Sequence, residues 1–299
     1  MSKPHVICIG EALIDRIVNK SDLNYKDYLG GAPANVACAL TKLKVSTAFI
    51  GCIGNDNYGD DFAKLFNKLN INTNFVQTDI NSSTRIVNVI RDINGDRSFA
   101  GFENYLNNNF SDEMLDKCSL KQNIFDLKKL LAKTNFIVTG TNILISEKSS
   151  ESLYFILECA KNFDISIVID ANWRDIFWNN SSALKKDKQS NFKKVKNLLQ
   201  HADILKLSNE EANLFFEVND PYVISSVLPK KPNVIITDGP NPIRWFINGL
   251  TGENNVFNSE KIVDTTGAGD AFLAGLISRF CEDLNPSDES TIKKNNKFC

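Results

Sequence analysis

Histidine is nearly absent: the 299 residues contain two, His5 and His201. A site built on several imidazoles is excluded, and any Ser-His-Asp arrangement would have to use one of those two. The seven cysteines, at positions 8, 38, 52, 118, 159, 281 and 299, form no C-x-x-C pair and mostly sit in apolar stretches. They read as reduced, buried thiols in a reducing compartment. Neither sign of charge dominates. With 34 basic against 36 acidic residues the net charge is −2, which argues against a nucleic-acid binder. No apolar run approaches the ~18 residues of a membrane span, and the four apolar residues 6–9 are too few for a signal peptide. The expectation is a cytoplasmic protein with neither nucleic acid nor membrane as partner. If it is an enzyme, its chemistry rests on carboxylates, backbone amides and a cofactor.

Apolar residues are plentiful, at 42% with 20 Phe, enough for a sizeable core. Short apolar runs at 6–9, 47–50, 136–138, 165–169, 204–205 and 234–236 read as buried strands. Between them lie helical patterns. Phe62, Leu65, Phe66 and Leu69 follow i, i+3, i+4, i+7 spacing, as do Leu153, Ile156, Leu157 and Ala160. This alternation predicts an α/β fold with a mainly parallel sheet covered by helices on both faces. Residues 11–30 carry no helical period, and 84–102 alternate around Asn94-Gly95, a hairpin signal. Together they predict a small β lid over a crevice at the sheet's C-terminal edge. The lysine-rich stretch 184–197 keeps Phe192, Val195 and Leu199 at helical spacing and reads as a solvated helix face.

The sharpest motif is Asp264-Thr265-Thr266-Gly267-Ala268-Gly269-Asp270, running into an apolar helix. Glycines leave the first-turn amides open, and the helix dipole adds positive potential, so this is an anion site. Asp270 beside it suits a base that takes a proton from a hydroxyl attacking a phosphoryl group; alternatively it only satisfies a helix N-terminus. Neither G-x-x-x-x-G-K-[ST] nor a G-x-G-x-x-G after the first strand occurs. A second cluster, Gly30-Gly31-Ala32-Pro33-Ala34-Asn35, precedes a helix with Val36, Leu40 and Leu43 inward. Its glycines allow close ligand approach, and Asn35 offers donor and acceptor, though a plain strand-to-helix turn would read the same way.

These motifs, in this order from residue 6 to about 282, resemble the ribokinase-like (PfkB-type) carbohydrate kinase family. Residues 30–35 with Gly51, Gly54 and Gly59 resemble its first signature, and 264–276 its second. Asp170-Ala171-Asn172-Trp173-Arg174 with Trp178 resembles the D-x-N-x-R…W segment of its fructokinase and 2-keto-3-deoxygluconate kinase branches. The resemblance implies a single ribokinase-like three-layer α/β/α domain over 1–299, with lid strands from about 11–30 and 84–102 and a polar tail from about 283.

It also implies roles. Asp270 would be the base, and Gly267, Ala268 and Gly269 the anion hole. Asp15, Gly31 and Asn35 would hold sugar hydroxyls, Arg97 and Phe99 would close from the lid, and Arg174 would lie near the transferring phosphate or an acidic substrate group. On the nucleotide side stand Lys206, Ser208, Thr237 and Gly239, with Glu211 supporting hydrated Mg²⁺. Ser208 replaces the family's more frequent Asn, and Pro242 replaces the second glycine of its T-x-G-x-x-G pattern. The implied cofactors are ATP and Mg²⁺, with a monovalent cation left open, and the implied assembly is a homodimer through the lid. Only 29 residues follow Asp270 where the family continues with further helices. The expected activity is therefore fructokinase-type phosphorylation of a primary hydroxyl, with 2-keto-3-deoxygluconate as another substrate. The alternative is a catalytically weak sugar- or nucleotide-binding protein with an incomplete adenine site.

Overall fold

The computed structural model describes residues 5–19, 24–91, 97–103, 109–179, 188–257 and 267–283. The strands are β1 (His5–Ile9), β2 (Leu13–Asn19), β3 (Tyr25–Gly30), β4 (Ser46–Gly54), β5 (Asn72–Asp79), β6 (Ile86–Arg91), β7 (Arg97–Phe102), β8 (Phe136–Gly140), β9 (Ser166–Asp170), β10 (Ile204–Ser208), β11 (Asn233–Asp238), β12 (Asn241–Ile247) and β13 (Leu250–Asn254). The helices are α1 (Ala32–Lys42), α2 (Asn57–Lys68), α3 (Lys117–Gln122), α4 (Ile124–Leu131), α5 (Glu147–Ala160), α6 (Asp175–Asn179), α7 (Lys188–Leu199), α8 (Asn209–Phe216), α9 (Pro221–Val227) and α10 (Ala268–Asp283).

Nine strands make the main sheet in the order β13-β12-β11-β10-β9-β8-β1-β4-β5, parallel except where β12 pairs with β11 and β13. The apolar runs read from the sequence are its central strands. β8 is buried at every residue, as expected of a parallel strand covered on both faces. One apolar layer gathers Ile7, Ile137, Ile169 and Leu205 with Leu153 and Ile156 of α5. The other gathers Val6, Val138, Val168 and Ile235 with Val36 and Leu40 of α1 and Leu273 and Ile277 of α10. Leu43 departs from the expected inward set. It is the C-cap of α1 and 48% exposed, because the helix ends one residue before it.

Sequence order reverses beside β1: β4 and β5 lie on one side, β8 to β11 on the other. Such a switch point opens a crevice at the strands' carboxyl ends. Both histidines fall at the opposite edge, His5 opening β1 and His201 preceding β10, so neither serves that crevice. The described cysteines are all free; Cys8, Cys52 and Cys281 are buried as expected, whereas Cys118 is exposed.

The lid is a second sheet of order β3-β2-β6-β7. Its strands fall within the two stretches expected, while the Asn94-Gly95 turn lies outside the described residues. Arg85 anchors it. This guanidinium, 2% exposed, donates through Nε to Asp112 Oδ2 at 2.9 Å and through Nη2 to Glu113. Phe110, Phe102 and Phe177 surround it, their ring centroids 4.1, 4.9 and 5.3 Å from its Cζ. Phe102 closes β7 and Phe177 lies on α6, so one buried cation joins lid, body and the segment carrying Arg174.

α7 confirms the helical spacing of the lysine-rich stretch from residue 188 onward: Val195 and Leu199 are buried. Residues 184–187, and the polar tail beyond 283, lie outside the described residues.

Candidate active site

Asn35, one turn into α1, and Asp270, in the first turn of α10, meet above the sheet. Asn35 Nδ2 donates to Asp270 Oδ2 at 2.8 Å. The two residues are 235 positions apart in sequence, joined because α1 and α10 pack side by side over one face of the sheet.

Gly267, at φ 71°, turns the chain into α10, and its carbonyl accepts the first helical bond, from Ala271 N, at 2.8 Å. The amides of Ala268, Gly269 and Asp270 precede that bond and have no partner within the helix. Two of these, Ala268 and Gly269, belong to the anion hole expected over residues 267–269, and the open amides of Ala268–Asp270 suit an anion. Thr265 and Thr266 lie outside the described residues.

A buried ion pair sits below. Lys206 Nζ donates to Asp170 Oδ1 and Oδ2 at 3.0 and 2.8 Å, with Lys206 7% and Asp170 4% exposed. A Cβ on Gly269 would lie 3.2 Å from Lys206 Nζ, so the ammonium lies directly against the anion-site turn. Burial opposes the charge on Lys206, yet Asp170 outweighs it and holds the ammonium above its ordinary range. Asp270 is raised: burial pushes its carboxyl up and Asp170 adds to this, while the Asn35 bond and the charges of Lys206 and Arg174 pull it down. Arg174 is thus within electrostatic reach of Asp270, and its Nη1 donates to Trp173 O at 3.0 Å.

Gly31 caps α1 at φ 96°, and a Cβ there would lie 2.5 Å from Glu11 O. Only glycine fits this turn. Gly31→Ala is expected to displace the turn, and with it Asn35 beside Asp270, and to lower kcat/KM for the sugar expected from the sequence about 10–100-fold, checked by steady-state kinetics, because small misplacements near reacting groups are costly in rate. Asp15, on β2, packs against Gly30, a Cβ on which would be 3.0 Å from Asp15 Cγ. Asp15 therefore faces the same turn as Gly31 and Asn35. Arg97 and Phe99 lie on β7, opposite Arg91 and Val89, with their side chains outside the described residues.

Of the residues assigned to the nucleotide side, Lys206 lies within β10 in the ion pair with Asp170, and Ser208, Thr237 and Gly239 sit at or just past the carboxyl ends of β10 and β11. Thr237 Oγ1 donates to Leu207 O at 3.4 Å, and Gly239, at φ 56°, makes the exposed turn into β12. Ser208 and Glu211 form a capping box on α8: Ser208 Oγ accepts from Glu211 N at 3.2 Å, and Glu211 Oε2 from Ser208 N at 2.8 Å. Glu211 Oε1 accepts from Trp173 N at 2.7 Å. Both its oxygens are thus engaged by backbone, tying β10 to the Arg174 segment. Burial, and then Asp170, pushes its carboxyl up against the pull of Lys206 and these two bonds.

Reading residues alone singled out neither Arg85 with Asp112 nor the ion-pair role of Asp170. Asp170 had a signal, a lone acid ending an apolar strand. Arg85 had none beyond opening the alternating stretch.

Residues 3–294 match the pfkB family carbohydrate kinase, and the chain belongs to that family. It is 30% identical over 292 residues to a probable chloroplastic fructokinase-6 of Arabidopsis thaliana, covering 94% of this chain and 71% of that relative. A fructokinase from Xylella fastidiosa solved with bound ATP has the same fold, with TM-score 0.79, 24% identity, and 97% and 85% of the two chains covered. A fructokinase from Vibrio cholerae, solved with fructose, ADP and calcium, superimposes with TM-score 0.73 at 22% identity, covering 94% of this chain and 85% of that one. No helix among the described residues is long and apolar enough to cross a membrane.

Proposed function

We propose that this chain is a fructokinase-type sugar kinase that transfers the γ-phosphoryl group of ATP to a primary hydroxyl. One observation carries the reading: a carboxylate is set in the first turn of a glycine-led helix, beside three amides with no partner in the helix, at the switch point of the sheet. Asp270 accepts the hydroxyl proton. The amides of residues 268–270 and the Lys206 ammonium behind Gly269 answer the charge on the transferring oxygens. Asp15, Gly31 and Asn35 hold the sugar, and Arg97 and Phe99 are assigned to it from β7 of the lid. Thr237 and Gly239 receive the nucleotide, with Ser208 and Glu211 shaping the turn below it.

The fit to Mg²⁺ follows from Glu211. Its oxygens are engaged by backbone amides, so the residues suit a hydrated ion carried by nucleotide phosphates, not one caged by protein. A hydrated Mg²⁺ held near Glu211 through its water shell would supply charge neutralisation to the nucleotide phosphates. The lid's outer strand β3 leaves a sheet edge with Tyr25 60% and Tyr28 43% exposed, which supports pairing of two lids in a homodimer.

ADP release measured over fructose, 2-keto-3-deoxygluconate, ribose and adenosine tests the reading. Fructose is expected to be turned over best. Preference for 2-keto-3-deoxygluconate would point to Arg174 reading an acidic group. Sugar binding by calorimetry with no turnover of any member would replace the kinase reading with that of a binding protein.

A further inference from the structure

The turn after β1 and the turn after β8 meet across the switch point, and their contact is a pair of polar side chains. Glu11 follows β1 and is 4% exposed. Asn142 follows β8, and its Nδ2 donates to Glu11 Oε1 at 3.1 Å. The remaining oxygens of the two planar groups, Glu11 Oε2 and Asn142 Oδ1, are both buried and meet no donor among the described residues. Two orphaned acceptors in one hydrogen-bonded pair are costly, since each loses water without replacement.

One proton would change this balance. With a hydrogen on Oε2, Glu11 becomes a donor of the kind Asn142 Oδ1 lacks, while Asn142 Nδ2 continues to serve Oε1. The charged groups facing Glu11 favour that proton: Asp112, of the turn Ser111–Glu113, and Asp270 of α10 are both acids. Arg85, the cation beside Asp112, is engaged by Asp112 and Glu113. The Glu11 backbone forms the seat of Gly31, whose Cβ, if present, would lie 2.5 Å from Glu11 O.

We propose that Glu11 is a positioning residue held as the neutral acid and paired with Asn142, and that this pair fixes the floor under the sugar-holding turn of residues 31–35. The proposal rests on the reading of that turn as the sugar site, but its test has a part that does not. Burial above all pushes the Glu11 carboxyl up to about 7 from 4.5, against the pull of its own backbone amide and of Asn142, with Asp112 and Asp270 adding smaller pushes upward. A carboxyl raised on folding contributes stability that is complete below its unfolded value and is lost as pH rises through the folded one.

Glu11→Gln mimics the neutral acid, with a donor and an acceptor in the same places and nothing to ionise. Its Tm relative to wild type is expected to rise by several degrees between about pH 5 and about pH 8, as the wild type alone loses stability. Its KM for the sugar should stay within about threefold of wild type, whereas Glu11→Ala should raise KM about tenfold, the cost of a lost buried hydrogen bond. A Tm difference that does not change with pH, or Gln as damaging as Ala, would overturn the proposal, the second because it would mean that an anion is needed. Should Glu11→Ala not fold, an infrared difference titration of wild type against Glu11→Gln decides: a protonated carboxyl band present in the wild type, lost near neutral pH and missing from Glu11→Gln supports the neutral acid, and its absence from the difference refutes it. If the pH-dependent Tm difference appears while no sugar is phosphorylated, the pair stands and the kinase reading falls.

Discussion

Asp270→Asn is expected to lower kcat on the sugar about 10²–10⁴-fold, the range for loss of a positioned general base. Asparagine keeps the shape of the side chain and an oxygen to accept from Asn35 Nδ2, so the architecture of the α1–α10 contact survives. What disappears is the capacity to take the proton. Sugar KM should change little, because the proposed reading gives binding to Asp15, Gly31 and Asn35. In the wild type, kcat/KM should fall as pH drops through the Asp270 ionisation. Burial raises that ionisation above the ordinary aspartate range, so the loss begins at a higher pH than for an exposed carboxylate. Steady-state kinetics over the acid range check both points. Unchanged kcat in the variant would remove Asp270 from the chemistry.

The largest effect on stability is expected at Arg85. Arg85→Met preserves bulk among Phe102, Phe110 and Phe177 but leaves the acids Asp112 and Glu113 without their cation. Breaking a buried ion pair from one side costs about 3–5 kcal/mol. That corresponds to a Tm lower by roughly 10 °C in a chain of this size. Thermal unfolding followed by circular dichroism measures it. A shift of only a degree or two would show that water screens the acids and that the lid is anchored elsewhere. Because Phe102 belongs to the lid and Phe177 to the segment carrying Arg174, the surviving enzyme should also show a raised sugar KM.

Much of this fold is legible in the chain, and the part that is not has a common physical cause. Buried parallel strands need apolar side chains on both faces, so β1, β8, β9 and β11 stand out as runs. β5 does not, because it closes the sheet and, as NTNFVQTD, buries Phe75 alone. The antiparallel pair β12–β13 could have been read: Asn248-Gly249, at φ 52° and 82°, is the same hairpin signal as Asn94-Gly95. The site divides in the same way. Local chemistry marks residues 267–270 as an anion site and 30–35 as a ligand turn. That the two meet depends on helix packing between residues 235 apart, and only the family's ordering of motifs anticipates it. Glu11 with Asn142 and Arg85 with Asp112 lie 131 and 27 residues apart. No periodicity within either partner's own element records such pairs, since each is specified by how the turns at the strand ends come together.

The most direct measurement follows the γ-phosphoryl group itself. Purified chain is given ATP, Mg²⁺ and fructose, and the products are resolved by phosphorus NMR, with Asp270→Asn in parallel. The expected result is a primary-hydroxyl phosphate of the sugar, formed with stoichiometric ADP by the wild type and about 10²–10⁴-fold more slowly by the variant. Fructose that binds and is never phosphorylated, or equal rates in the two proteins, would contradict a phosphoryl-transfer centre built on Asp270.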